Sequence, residues 1–236
     1  MPRRAPRHHT PEPRADGPPD PPRAAPYLDP YRKAVEAFGP SFEATLWNSR
    51  EWQTARFEVM RRMIHFEGRT VIDAGAGQGD LAAFLVEHNI EYARYIALEA
   101  MPEMSASGRA RNLPRAEFHE LDFVADETAF SRFAGAPGRD SQVDAVVFSG
   151  SLNTLEQSAA EAVLDRAWRS CREALVFNFL SDRHDKRHLT DTTGPARRFN
   201  TLRAVDWALD RTPGVRFRHD YFTHGHDATI CMLRRD

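Results

Sequence analysis

Cysteine is nearly absent. Cys171 and Cys231 are the only two in 236 residues, too few for a disulfide framework or a thiolate zinc cluster. Long apolar runs are missing as well. No stretch approaches the ~20 residues that span a bilayer, and none near the start forms the ~7–15-residue core of a secretory signal. No membrane partner is therefore expected. With both thiols beside apolar runs, a reducing cytoplasm is the natural setting. A dominant charge sign is lacking too: 32 Lys and Arg face 34 Asp and Glu, for a formal net charge of −2. That balance gives no global field of the kind nucleic-acid binding draws on. No internal repeat is found. Residues 1–26 have no apolar block at all, being mostly proline and arginine with scattered acids and histidines. Such a segment cannot bury enough surface to offset its ordering entropy, so it is expected to be a disordered, solvated tail.

What remains is 41% hydrophobic overall and long enough for one α/β core. Two helical patterns come first, over residues 27–38 and 50–64. In the second, Trp52, Phe57, Met60 and Ile64 recur at near-helical spacing behind a possible Ser49 cap. Together residues 27–69 form a helical unit placed to cover a site, ahead of a core at 70–236. From residue 70 strands and helices alternate. Strands are predicted at 70–73, 92–98, 116–121, 143–148 and 174–180, with helices at 80–87, 101–111, 126–133 and 156–169 between them. Alternation of this kind implies a parallel sheet with right-handed crossovers. A long polar segment, 181–200, and a helix at 202–209 lead to two final strands at 215–222 and 228–233. Only residues 223–227 separate those two, so they form a hairpin and the last strand runs antiparallel.

The chain is organised around residues 70–81, T-V-I-D-A-G-A-G-Q-G-D-L, a strand running into a glycine-rich turn that lets a ligand approach the backbone. A dinucleotide fingerprint would need a third glycine where Asp80 stands. The remaining pattern, Asp-x-Gly-x-Gly-x-Gly, resembles the first motif of class I S-adenosylmethionine-dependent methyltransferases. That resemblance spans about residues 70–234. It implies a Rossmann-like, doubly wound α/β fold whose seven-stranded sheet ends in an antiparallel strand, and S-adenosylmethionine as cofactor.

The resemblance also implies roles for particular residues. Gly75 and Gly77 contact the cofactor, while Gly79 permits close packing. Asp73 either holds backbone N–H groups of the turn or reaches the cofactor's ammonium. Glu99, followed by Ala100 in A-L-E-A-M-P-E-M, accepts from the ribose hydroxyls, in keeping with an acid about 20 residues past the glycines. Asp122 and Phe123 take adenine, with a helix cap as the other reading of Asp122. Ser149 and Gly150, in F-S-G-S-L-N-T, face the methionine moiety. Arg56 pairs with the cofactor carboxylate or is a surface arginine.

On the acceptor side, Asn153, Trp47 and His184 are candidate contacts. His224 and His226, in the hairpin turn on the cofactor edge, are candidate bases. His224, His226 and Asp227 are too few assured ligands for a metal site, so no metal is expected. The leading expectation is in-line methyl transfer to a small-molecule acceptor. A catalytically silent binding module, or an enzyme acting on RNA or protein, is the alternative. The chain has S-G-S-L-N where many amino-methylating nucleic-acid enzymes carry asparagine-proline-proline-aromatic, which lowers the RNA reading.

Overall fold

Parallel strands buried on both faces must be apolar at consecutive positions, and their side chains then feed two separate cores. The computed structural model, which describes residues 25–189 and 194–234, has this arrangement. The strands are β1 (Thr70–Ala74), β2 (Arg94–Glu99), β3 (Ala116–Glu120), β4 (Ala145–Phe148), β5 (Ala174–Ser181), β6 (Arg198–Phe199), β7 (Val215–Arg218) and β8 (Asp227–Leu233). Ile72, Ile96, Val146, Leu175 and Phe177 enter one core; Val71, Tyr95, Val147 and Val176 enter the other. Helices α2 (Arg50–Met63) and α3 (Asp80–Glu87) close the second core. Helices α6 (Gln157–Ser170) and α7 (Thr201–Leu209) close the first. The remaining helices are α1 (Asp29–Phe38), α4 (Pro102–Ala110) and the single turn α5 (Ser131–Ala134).

The sheet order is β3-β2-β1-β4-β5-β8-β7, with β6 pairing β5 off this path. β1 to β5 are mutually parallel, whereas β8 is antiparallel to both β5 and β7. The chain winds from β1 outward through β2 and β3, then returns to β4 on the other side of β1. The carboxyl ends of β1 and β4 therefore flank the switch point where such sheets bind ligands.

The expected fold is present, including the reversed last strand, with local differences. The tail expected over residues 1–26 falls outside the described residues up to 24, and Pro26 already belongs to a 3₁₀ turn, Pro26–Leu28. An eighth strand, β6, emerges from the polar segment expected to be a loop; it is two residues long, too short for any periodicity to betray. β7 stops at Arg218 rather than 222. The helix expected over 126–133 contracts to α5, because Asp126 turns its carboxylate onto the Thr128 N–H at 2.8 Å and makes a local turn. Ser49 does cap α2, accepting from the Trp52 N–H at 3.3 Å.

Candidate active site

The glycine turn after β1 is held by its neighbour strand. The N–H groups of Gly75 and Ala76 donate to the Leu98 carbonyl at 2.8 and 3.1 Å. Gly75 has φ +79°, and a Cβ there would stand 2.4 Å from the Ser151 Cβ, so the turn and the segment after β4 touch through the missing side chain. Glu99 does the rest. Its Oε2 accepts from the Gly77 N–H and its Oε1 from the Met101 N–H, each at 2.8 Å. It is buried, not a solvated loop acid, and burial raises its pKa against the pull of those N–H groups. A carboxylate has about four lone-pair sites. The neighbouring N–H groups do not use all of them, so part of its accepting capacity stays open for a ligand.

Asp73 behaves differently. It takes none of the turn's N–H groups, which corrects one of its two expected uses: Leu98 and Glu99 already satisfy them. Asp73 Oδ2 accepts from the Tyr95 hydroxyl at 2.6 Å, while Oδ1 is buried with no partner among the described residues. Burial is the largest cause lifting its pKa to about 7, the Tyr95 bond works against it, and the Glu99 charge adds to the rise.

Asp73, Gly75, Gly77, Glu99, Ala100, Asp122, Phe123, Ser149 and Gly150 all line one cleft, about 900 Å³ with the solvent at its mouth. At the end of β3, Asp122 Oδ1 accepts from the Val124 and Ala125 N–H groups, the cap-like reading. Its Oδ2 accepts from the Tyr27 hydroxyl at 2.7 Å. Ser149 Oγ is buried without a partner among the described residues, and the Gly150 N–H donates to Asn178 Oδ1 at 2.6 Å. Tyr27, Leu28 and Tyr31, on the turn before α1 and on α1 itself, cover the cleft.

A second cleft of about 750 Å³ adjoins the first, and Trp47 lines both. Its wall includes Trp52, Arg56, Asn153, Arg198 and His226. Arg56 lies here, away from the wall of the first cleft. It is neither at the surface nor beside the glycine turn, and its Nε donates to Asp227 Oδ2 at 2.5 Å and its Nη1 to the Trp52 carbonyl at 2.9 Å. The rings of Trp47 and Phe222 stack on its guanidinium at 4.3 and 4.7 Å. Asp227 Oδ1 in turn meets His226 Nδ1 at 2.5 Å. A carboxylate only accepts, so the pairing places a proton on Nδ1, and in the neutral ring Nε2 is the acceptor. Asn153 Oδ1 accepts from the Leu180 N–H at 3.3 Å. His184 and His224 line neither cleft: the first is buried with Nδ1 on the Ser181 carbonyl, and the second is exposed in the β7–β8 turn.

Three contributors escaped the sequence reading. Asn178 interrupts the apolar run of β5, A-L-V-F-N-F-L-S, and a lone amide in a doubly buried strand is a signal of polar work at that point. Tyr27 carries no such signal, since its hydroxyl matters only once α1 lies across the sheet edge. Asp227 reads in the sequence only as a metal-type ligand beside two histidines, whereas its partners are Arg56 and His226.

Residues 71–174 match a family model described as a methyltransferase domain. The fold is similar to an O-methyltransferase family protein from Burkholderia thailandensis, with TM-score 0.59 and 19% identity over 78% of this chain and 56% of that one. It is also similar to magnesium protoporphyrin IX methyltransferase (ChlM) from Synechocystis PCC 6803 with bound S-adenosylhomocysteine, with TM-score 0.58 and 14% identity over 88% and 94%. A third likeness is to a S-adenosylmethionine-dependent methyltransferase from Archaeoglobus fulgidus, with TM-score 0.59 and 13% identity over 79% and 95%. A curated relative, cell division protein SepF from Rhodococcus opacus, is 34% identical over 134 residues, covering 51% of this chain and 58% of the relative. The chain thus spans less than two thirds of that relative's length. Residues 71–174 thus match a methyltransferase domain, and the fold is the one these methyltransferases share. Among the described residues no helix is long and apolar enough to cross a membrane.

Proposed function

We propose that the protein transfers a methyl group from S-adenosylmethionine, bound in the first cleft, to a small-molecule acceptor in the second, with His226 as general base. The observation that carries this reading is the pair of clefts sharing Trp47, one lined by the glycine turn and the strand-end acids, the other by His226. The first cleft fits the cofactor: Asp73 Oδ1 and Ser149 Oγ are buried polar atoms without partners among the described residues, and Gly77 leaves its Cβ space open toward Met104 and Thr45.

The cofactor supplies an electrophilic methyl on a sulfonium. Glu99 offers its open lone pairs to the ribose hydroxyls while its bonded ones keep Gly77 in place. Asp73 faces the ammonium, and Phe123 packs on adenine beside Asp122. Arg56 is assigned to holding Asp227, and through it His226, rather than to the cofactor carboxylate. His226 Nε2 then removes the proton of a hydroxyl or amine acceptor as the methyl arrives. Trp47 and Trp52 narrow the second cleft and exclude water, which in-line displacement requires. Burial pushes both thiols, Cys171 and Cys231, up to about 12, so they are inert packing groups suited to a cytoplasmic protein.

Calorimetry with S-adenosylmethionine and S-adenosylhomocysteine, with NAD as control, tests the cofactor half. Binding of NAD alone would overturn it. A labelled-methyl screen across metabolite, RNA and protein pools tests the acceptor half. Label in metabolites is expected, and label confined to RNA or protein would refute the small-molecule reading.

A further inference from the structure

Outside both clefts, two turns at the same edge of the sheet bring together donor groups that the methyl-transfer reading leaves unused. Asp185 and His188 follow β5, and His224 sits in the turn between β7 and β8. One ligand-type atom from each lies within 4.8 Å of the others. We propose that Asp185, His188 and His224 form a binding site for a divalent transition-metal ion of the zinc type, clipping the loop after β5 to the hairpin turn.

The backbone presets this geometry. The Asp185 N–H donates to the His224 carbonyl at 2.8 Å, a direct bond between the two turns. Gly225 packs so closely on the loop that a Cβ would come within 3.1 Å of the Arg183 carbonyl oxygen and 2.7 Å of the His219 ring. His224 itself has φ +69°, a left-handed conformation uncommon for a residue with a side chain. Strain of that sort persists where the surroundings over-determine it. Its outcome here is that the His224 ring stacks on His188, centroids 4.0 Å apart and planes 9° from parallel.

Donor chemistry selects the ion. Two imidazoles and one carboxylate suit zinc, cobalt or nickel, whereas magnesium and calcium want all-oxygen shells. Tetrahedral bonds of about 2.0–2.1 Å put ligand atoms about 3.4 Å apart, so the present spread closes by rotation of the two exposed imidazoles. Asp185 is at present engaged by Arg187, through Nε at 3.0 Å and Nη2 at 2.8 Å, and by His188 Nδ1 at 3.1 Å. Arg187 is highly exposed, so a dication displaces it at little cost. Solvent completes the shell. Leu189, next to His188, and His226, two residues past His224, both line the second cleft. A bound ion therefore stiffens the rim of that cleft without entering it.

The test titrates the full chain with Co²⁺, Zn²⁺ and Mg²⁺ separately, followed by calorimetry and by the visible ligand-field bands of cobalt, and compares it with H188A/H224A. Stoichiometric Co²⁺ and Zn²⁺ binding by the wild type is expected, with weak Mg²⁺ binding. The double variant is expected to lose affinity by at least the ~10–100-fold that removing even an outer-shell partner costs. Both side chains are exposed, so the variant's melting temperature without metal should match the wild type, and only the wild type should gain on adding Zn²⁺. Equal Zn²⁺ affinity in the two proteins would overturn the site, as would Mg²⁺ binding as tight as Zn²⁺.

Discussion

Asp73 and Glu99 end adjacent strands, and both are buried acids, yet their partners give them opposite work. Glu99 takes backbone donors on both oxygens and builds the turn; Asp73 has one donor on Oδ2 and an Oδ1 without a partner among the described residues. The linkage sign follows. Burial raises the Asp73 pKa from 3.8 to about 7, so the folded state holds its proton more tightly than the unfolded chain. Its ionisation therefore costs stability progressively as pH rises from about 4 to about 7, and the full cost persists above that. Asp73→Asn, which can still accept from Tyr95, is expected to raise ligand-free stability at pH 8 by about 1 kcal/mol or more, with little effect at pH 4. The same change should weaken S-adenosylmethionine binding. Thermal unfolding at both pH values and calorimetry check the pair of outcomes. Equal gains at the two pH values would refute the linkage. Glu99→Ala is expected to weaken the cofactor at least ~10-fold, through the ribose contacts and through loosening of Gly77. These acids were legible from their spacing to the glycines. Their division of labour was not, because it depends on which N–H groups each reaches across the sheet.

At the scale of elements, the glycine turn separates folding from binding. An alanine at position 75 meets the Ser151 Cβ at 2.4 Å and an unfavourable φ, whereas at position 77 the nearest atoms are 3.7 and 3.8 Å away. Gly75→Ala should therefore cost about 2–3 kcal/mol of stability. Gly77→Ala should cost only about 1–2 kcal/mol, from its left-handed φ, but place a methyl where the cofactor must approach. A Gly77→Ala protein that folds and still binds S-adenosylmethionine with wild-type affinity would show that the cofactor does not lie against this turn. The cover over the cleft is a separate element, tied at its start by the Tyr27 hydroxyl to Asp122. Helix and strand positions were readable here because periodicity is a property of neighbouring residues. β6 and the truncated α5 were not, since two-residue pairing and a local Asp126 turn are set by partners distant in sequence or by side-chain competition.

Across the whole molecule, Arg56 on α2 and Asp227 at the start of β8 are 171 positions apart and nearly inaccessible, with side chains 3% and 1% exposed. No spacing rule could pair them. Their pairing joins the helical cover to the last strand and fixes His226 at the wall of the second cleft. Two substitutions separate these functions. Asp227→Asn leaves a buried guanidinium without its counter-ion and should destabilise the protein by about 3–5 kcal/mol. His226→Gln removes the proton acceptor but spares the Arg56–Asp227 pair, so stability should change by no more than about 1 kcal/mol. Cofactor affinity should stay constant, since His226 lies outside the first cleft. Turnover of a hydroxyl or amine acceptor should fall about 10²–10⁴-fold in kcat, with KM little altered. Single-turnover methyl transfer at saturating cofactor isolates that step. Wild-type rates in His226→Gln would remove it as the base and leave the network a purely structural tie between cover and sheet.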